Sequence, residues 1–595
     1  MNYRRDRLKL RDACAGAQLG RGILYLVVLA AVALACRLFA QPAPAPETKN
    51  APSIDQDLME VTVPKLEGFY SEHRYTVTEV VNWYIARIRK YNPVYGAIED
   101  LEAKEALAAA AKLDAEAAAG GNEFQRGPLW GVPIVIKENT SVQGLITSDG
   151  WKGYKLPGHE LVAPRDATIV ARLRAAGAVI LGKTNMPDFA ASDTNRSSAY
   201  GRTGNAYDVR FSPGGSSGGT VTAVTANMAL LGNGSDTGNS IRMPSSTSAV
   251  VGVFPTRGLV SIAGVAPLDW QLDNTGPIAR TVTDAAIALT VIAGEDPLDP
   301  GTAGSAAKAQ PGPYTIYLKP DALKGKRFGV PACVLSGAGI PFQGSPAAET
   351  PAQVAADRQS AEIPLQPETR AAFMKAVEDL RAAGATVVFD DSILGEDFAA
   401  TVTRVGTLPY IREGTEKFLA EFGPAQYHSA EEYEKAVGSP LPATIIGGDK
   451  PGTLLVDPRP VVKQETFENN PQSEADVLEP RARALELYDA TLDRLHLDGY
   501  VYPAAQMPPP DETMPQDGTI SGGPHSDTGW VNMIGVPAIV VPAGFYPSGL
   551  PFGLEISTRR WHDGDLLGWA YAFEQATHLR RPPVLVDKGL LPINH

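Results

Sequence analysis

Apolar residues recur at helical spacing from about Thr76 to Ala119, where VTEVVNWYIARIRKY and LEAKEALAAAAKLDAEAAA predict two helices broken near Asn92-Pro93. The period then shortens. GVPIVIKEN reads as a buried strand ending at Lys137, DATIVARLRAAG as a helix closed by Gly177, and AVILGKT as the next strand. KRFGVP, TRAAFMKAVEDLRAAG and ATVVFDD repeat the alternation as a β-α-β unit with parallel pairing, and VPAIVVPAGF followed by DGDLLGWAYAFEQAT closes the chain in the same style. Strands alternating with helices predict an α/β fold: a parallel or mixed sheet covered by helices on both faces. Segments 336–366, 436–472 and 507–524 break the pattern with Pro, Gly and Ser, and are expected as irregular insertions of the kind that form substrate walls.

Composition narrows the partners. The 595 residues are 44% hydrophobic and 20% charged, with a formal net charge of −14, which disfavours nucleic acid or an anionic membrane as partner of the main body. Positive charge gathers instead at Arg4, Arg5, Arg7, Lys9, Arg11 and Arg21, ahead of an apolar run from Ile23 to Cys36. That run is short for a membrane span, and with Ala33-Leu34-Ala35 it predicts an export signal or N-terminal anchor over 1–40. A Pro/Ala-rich linker over 41–60 and one domain over 61–595 would follow, in an exported protein, periplasmic or secreted, or else membrane-anchored through residues 1–40. The three cysteines, Cys14, Cys36 and Cys333, supply no disulfide framework, and the eight histidines show no metal-ligand spacing. No metal or cofactor is expected.

Candidate chemistry concentrates between Gly214 and Pro244, where two glycine-rich turns carrying Ser216 and Ser240 flank a small-residue helical segment. Glycine lets a backbone come close to a ligand, and the N–H groups of such turns can hold a developing oxyanion. Two familiar patterns fail on context. GAVILGKT at 177–184 matches the P-loop letters, but its four intervening residues are themselves the strand and a helix precedes it. GGSSG at 214–218 matches the G-x-S-x-G elbow, but YDVRFSP before it carries no sustained apolar run, and no later histidine has a distinctive setting, which leaves His525 and His562 as the candidate bases of that lesser reading. Lys137 remains, a lysine at the end of an apolar strand, where desolvation favours the neutral amine that could serve as a base.

GPLWGVPIVIKEN, GAVILGKTNMPDFA, GGSSGG through RMPS, GVFPTRGLVS, LDNTGPIARTVTDAA and GVPAIVVPAGF with GLPFGLEI together resemble the amidase signature family, in the family's order and over roughly 70–590. The resemblance implies a mixed sheet of about a dozen strands wrapped by helices, a single active site and no cofactor. It also implies roles: Lys137 as base, Ser216 as the bridging serine usually preceded by a cis peptide, and Ser240 as nucleophile. Backbone N–H groups of Thr237, Gly238, Asn239 and Ser240 would form the oxyanion hole, with Ser217, Asp236 and Arg242 in support. Asn239 stands where the family commonly has glycine, and asparagine tolerates the left-handed backbone that such a turn would require. Asp188 and Ala206 are lesser departures. The expected reaction is hydrolysis of a small-molecule amide through an acyl-enzyme. Alternatives are an ester or carbamate hydrolase, the glutaminase subunit of a tRNA-dependent amidotransferase, and a noncatalytic binding protein of this fold. The export segment and the acidic body argue against the glutaminase, whose role is cytosolic.

Overall fold

Thr76 closes a capping box with Glu79 and starts the helix Val77–Tyr95, which ends on left-handed Gly96. Pro93 falls inside its last turn rather than breaking it, and the residues after it are not a second helix directly. Asn92 turns the chain, its Oδ1 accepting from the N–H groups of Ala97 (2.9 Å) and Ile98 (2.8 Å). A short strand then precedes the helix Ala103–Gly120. The computed structural model describes residues 53–121, 125–447, 463–513 and 523–584. The chain divides into two compact units, Met1–Asp57 and Leu58–His595. Only Ser53 to Asp57 of the first are among the described residues, so the segment 1–40 and most of the linker 41–60 lie outside them.

The strands of the second unit are β1 (Ile98–Leu101), β2 (Pro133–Lys137), β3 (Val179–Thr184), β4 (Arg196–Ser197), β5 (Gly201–Arg202), β6 (Leu231–Asp236), β7 (Val251–Phe254), β8 (Asn274–Ala279), β9 (Arg327–Val330), β10 (Thr386–Phe389), β11 (Gly499–Pro503), β12 (Ala538–Phe545) and β13 (Pro551–Ser557). Eleven form one sheet in the order β1-β3-β2-β6-β8-β7-β12-β13-β11-β9-β10, and β4 and β5 form a separate pair. The main sheet is mixed: β2 runs parallel to β3 and β6, whereas β6, β8, β7, β12, β13 and β11 alternate antiparallel, and β9 runs parallel to β11 and β10. Helices flank it, as the mixed α/β reading requires.

Glycine inside a strand marks close approach. At Gly182 in β3 a Cβ would lie 2.1 Å from the Asp100 carbonyl oxygen of β1, so only glycine admits this pairing. Near the other edge, Trp530 is fully buried among Phe398, Tyr488 and Tyr502, with ring centroids 5.4–5.8 Å apart, and belongs to the core. The insertion 336–366 is not wholly irregular: Thr350 and Gln353 form a capping box that starts the helix Pro351–Ser360. The insertion at 436–472 likewise carries a helical turn, Ala443–Ile446.

Candidate active site

Strand β2 is buried along its length, so its last residue is delivered into the interior. Lys137 has 0% of its surface exposed, and its Nζ lies 2.7 Å from Ser216 Oγ, 3.0 Å from Ser217 Oγ, 2.9 Å from Ser235 Oγ and 3.2 Å from the Ser235 carbonyl oxygen. Neighbouring β6 reads LGNGSD, a polar sequence buried throughout. Its polar groups are spent on β2 and the turn after it: Asn233 Oδ1 accepts the Lys137 N–H at 3.0 Å, and Ser235 Oγ also accepts from Asn139 Nδ2 at 2.9 Å. Gly234 leaves room for this, because a Cβ there would meet Ser217 Oγ at 2.8 Å.

No carboxylate makes an ion pair with Lys137 among the described residues. Glu138, its chain neighbour, faces the other way toward Lys183, with Oε1 3.3 Å from Nζ. Asp236 is taken by Arg242, Nε to Oδ2 3.1 Å. Burial therefore pushes the Lys137 amine down to about 7, against the more distant pull of Asp236, Asp149 and Asp273.

The turn that brings in the serines is shaped by close packing. Gly214 adopts φ 76°, and the Gly215–Ser216 peptide is cis. A Cβ on Gly215 would fall 2.5 Å from the Thr194 carbonyl oxygen, so the 192–194 loop lies directly against this bond. The helix Gly218–Thr225 starts immediately afterwards. Ser217 donates its N–H to the Ser240 carbonyl oxygen at 3.2 Å, which ties the two glycine turns together.

On the second turn, Asp236 Oδ2 accepts from the N–H groups of Ile241 (2.9 Å) and Arg242 (3.3 Å). Arg242 is fully buried and spreads further, to the Gly238 carbonyl oxygen at 2.7 Å, Thr528 Oγ1 at 2.7 Å, Asn532 Oδ1 at 2.5 Å and Glu555 Oε1 at 2.9 Å. Burial disfavours its charge, but Asp236 and Glu555 outweigh that and hold the guanidinium protonated. Among the described residues no protein acceptor takes the backbone N–H of Thr237, Gly238, Asn239 or Ser240. Thr237 Oγ1 is held by Asp273 at 2.6 Å. Ser240 itself is 5% exposed. No hydrogen bond joins its hydroxyl to that of Ser216 among the described residues.

Asn239 is not left-handed, so the tolerance expected of it is not needed and the turn carries no strain there. Its amide instead donates to Asp193 Oδ1 at 3.2 Å, and Asp193 Oδ2 lies 3.5 Å from His525 Nδ1. The hydrogen bond it donates to the Asp193 carboxylate raises the His525 imidazole above its ordinary value. His525 thus serves Asp193 rather than a serine, and His562 pairs with Asp565 at 3.0 Å. Sequence reasoning missed Asp193, Asn532 and Glu555. A charged residue inside the apolar strand of GLPFGLEI was the available signal for Glu555.

The P-loop letters form no phosphate cradle. Lys183 lies within β3, fully buried, donating to the carbonyl oxygens of Glu138 (2.9 Å) and Ile146 (2.8 Å). Glu99, Asp100 and Glu138 bring carboxylates within 4.8 Å of one another, but Lys155 sits 2.8 Å from Glu99 and Lys183 3.3 Å from Glu138, where a cation would otherwise stand.

A family model described as Amidase matches residues 79–335. The chain is 31% identical over 547 residues to the A subunit of glutamyl-tRNA(Gln) amidotransferase from Symbiobacterium thermophilum, covering 89% of this chain and 99% of that one. The corresponding protein of Alkaliphilus metalliredigens is 32% identical over 534 residues, 87% and 96% covered. Among solved structures, native peptide amidase from Stenotrophomonas maltophilia superposes with a TM-score of 0.68 at 29% identity, covering 91% of this chain and 99% of that chain. These relatives contradict the exported, periplasmic or secreted location expected above, and with it the anchored alternative, since they are subunits of an enzyme named for glutamyl-tRNA(Gln). Among the described residues no helix is long and apolar enough to cross a membrane.

Proposed function

Because the chain belongs to the amidase family and is an amide-hydrolysing enzyme, we propose that it works through Ser240, Ser216 and Lys137. The observation that carries this reading is the buried Lys137 amine, 2.7 Å from Ser216 Oγ and without a carboxylate partner among the described residues. A neutral lysine can accept a proton, whereas one locked in an ion pair cannot. Ser240 Oγ attacks the amide carbonyl carbon as its proton passes to Ser216 Oγ, whose own proton passes to Lys137 Nζ. The negative charge that appears on the carbonyl oxygen is met by unengaged N–H groups of the Thr237–Ser240 turn. Collapse breaks the C–N bond, the departing nitrogen takes a proton back along the same path, and ammonia or an amine leaves. Water repeats the sequence on the acyl-enzyme and releases the carboxylic acid. The Ser216–Ser240 hydrogen bond is the contact that forms as substrate binds, a tightening common in catalytic sites. Ser217, Asp236 and Arg242 shape the two turns.

The curated relatives favour glutamine as the amide, with this chain as the ammonia-releasing component of an amidotransferase and a protein partner to receive the ammonia. The main argument against that role is export, which the same relatives contradict. The peptide amidase likeness favours a second reading, a self-sufficient amidase for peptide carboxamides. Assaying ammonia release from glutamine and from a peptide C-terminal amide, with the isolated chain, separates the two. Labelling by a fluorophosphonate tests the triad: it is lost in Ser240→Ala and kept in His525→Ala. Labelling that survives Ser240→Ala overturns the assignment.

A further inference from the structure

The turn that carries Ser240 is open at one residue. Thr237, Gly238 and Ser240 are buried, whereas Asn239 is half-buried. Phe342 closes the turn at Gly238, where a Cβ would lie 2.8 Å from Phe342 Cβ. What stands at the open position is Asp193, whose Oδ1 accepts from Asn239 Nδ2 at 3.2 Å.

The loop around Asp193 holds it there. Ser192 and Thr194 spend their hydroxyls on each other at 3.0 Å, and the Thr194 N–H donates to Ser192 Oγ at 3.1 Å. The carbonyl oxygens of Ser192 and Thr194 press on Gly215, the residue before Ser216, where a Cβ would be 2.6 and 2.5 Å from them. Asp193, between these two, therefore touches both serine-bearing turns, with a side chain still 25% exposed. Gly523 packs on it from the other side, a Cβ there falling 2.5 Å from the Asp193 carbonyl oxygen, and His525 Nδ1 stands 3.5 Å from Oδ2.

The charge of this carboxylate is not cancelled by a fixed partner. Among the described residues His525 is the only basic group within ion-pair distance of Asp193, and an imidazole is not a permanent cation. Arg242, the buried cation of the Ser240 turn, is committed to Asp236 and Glu555. Holding the Asn239 amide needs only a neutral acceptor, so a carboxylate exceeds the structural need. With Asn239 on one oxygen and His525 on the other, the group keeps acceptor capacity beside the opening of the turn.

We propose that Asp193 is a specificity-determining residue that binds an ammonium group of the substrate, so that the preferred substrates are primary carboxamides carrying a positive charge close to the scissile bond. The inference rests on the triad proposed above, which makes Ser240 the point from which substrate is read. An ammonium beside Asp193 gains a charge-assisted hydrogen bond that an uncharged group of the same size does not.

Matched amides test it at about pH 7, where amino groups of both the α and ω kind are mainly charged. Glycinamide is compared with propanamide, β-alaninamide with butanamide, and phenylalaninamide with its N-acetyl derivative, by ammonia release from the full chain. The wild type should favour the ammonium member of at least one pair by about tenfold in kcat/KM, chiefly through KM. Asp193→Asn should abolish that preference, and Asp193→Ser reads the same ratio if Asp193→Asn does not fold. Glu486→Gln, which removes an exposed charge from the helix Glu479–Leu495, should keep it. No preference in the wild type, or one that survives loss of the Asp193 carboxylate, overturns the proposal and leaves the triad standing. Ser240→Ala should stop both members of every pair. Turnover that persists in it, or no turnover of any pair by the wild type, overturns the underlying reading and this inference with it.

Discussion

Lys137 and Lys183 sit on adjacent strands, one register step apart, and both are wholly buried. Lys183 meets a carboxyl group, two carbonyl oxygens and, more distantly at 3.5 Å, one hydroxyl; Lys137 meets three hydroxyls and one carbonyl. The same side chain at the same depth thus acquires opposite uses. Carbonyls and carboxylates only accept, which suits an ammonium. Hydroxyls can also donate, so they can satisfy the lone pair of a neutral amine. On the proposed mechanism, what separates a structural lysine from a base is the kind of oxygen around it rather than burial.

That contrast can be broken most severely at its reactive side. Lys137→Met should lower kcat about 10⁴-fold or more without changing the melting temperature greatly, as should Ser240→Ala, measured by amide turnover and thermal unfolding. The pH profile sharpens it next. A base that must be neutral gives kcat/KM falling about tenfold per pH unit below the Lys137 value of about 7 and level above it; a profile flat down to pH 5 sinks the assignment. Lys183→Met should do the reverse of Lys137→Met. Leaving Glu138 buried without its partner costs roughly 3–5 kcal/mol of stability in urea unfolding, while the folded fraction turns over near the normal rate. The smallest effect is expected at Asn239→Gly. It removes the hydrogen bond to Asp193, worth about 1 kcal/mol, and loosens the backbone by roughly as much again, and should change kcat/KM less than about tenfold.

The legible parts of this molecule were those written in short stretches. The apolar approach of GVPIVI to Lys137, the parallel β9–β10 pair and the glycine turns around Ser216 and Ser240 are each local patterns; the structure joins Lys137 to the two glycine turns, whereas β9 and β10 lie at the far edge of the sheet. The strand β1 escapes a sequence reading because IEDL is only four residues long, lies between two helices, and has two buried residues followed by two half-buried ones rather than an alternation of period two. Asp193 was lost because its value comes from Asn239, 46 positions away, and Glu555 because its partner Arg242 is 313 positions away. Nothing in a local pattern of hydrophobic and polar residues encodes such a pairing. Asn239 shows the converse. A substitution that looked like a demand on backbone conformation proved to be a side-chain contact.

The reach of Arg242 has a consequence for where the enzyme can be cut. All three residues of the proposed triad, and the whole match to the family model, precede residue 336. The turn that presents Ser240 is nonetheless clamped through Arg242 to Thr528, Asn532 and Glu555. A fragment ending near 335 would carry all three proposed triad residues and still be inert, because the polypeptide beyond it is the vice that holds the Ser240 turn still.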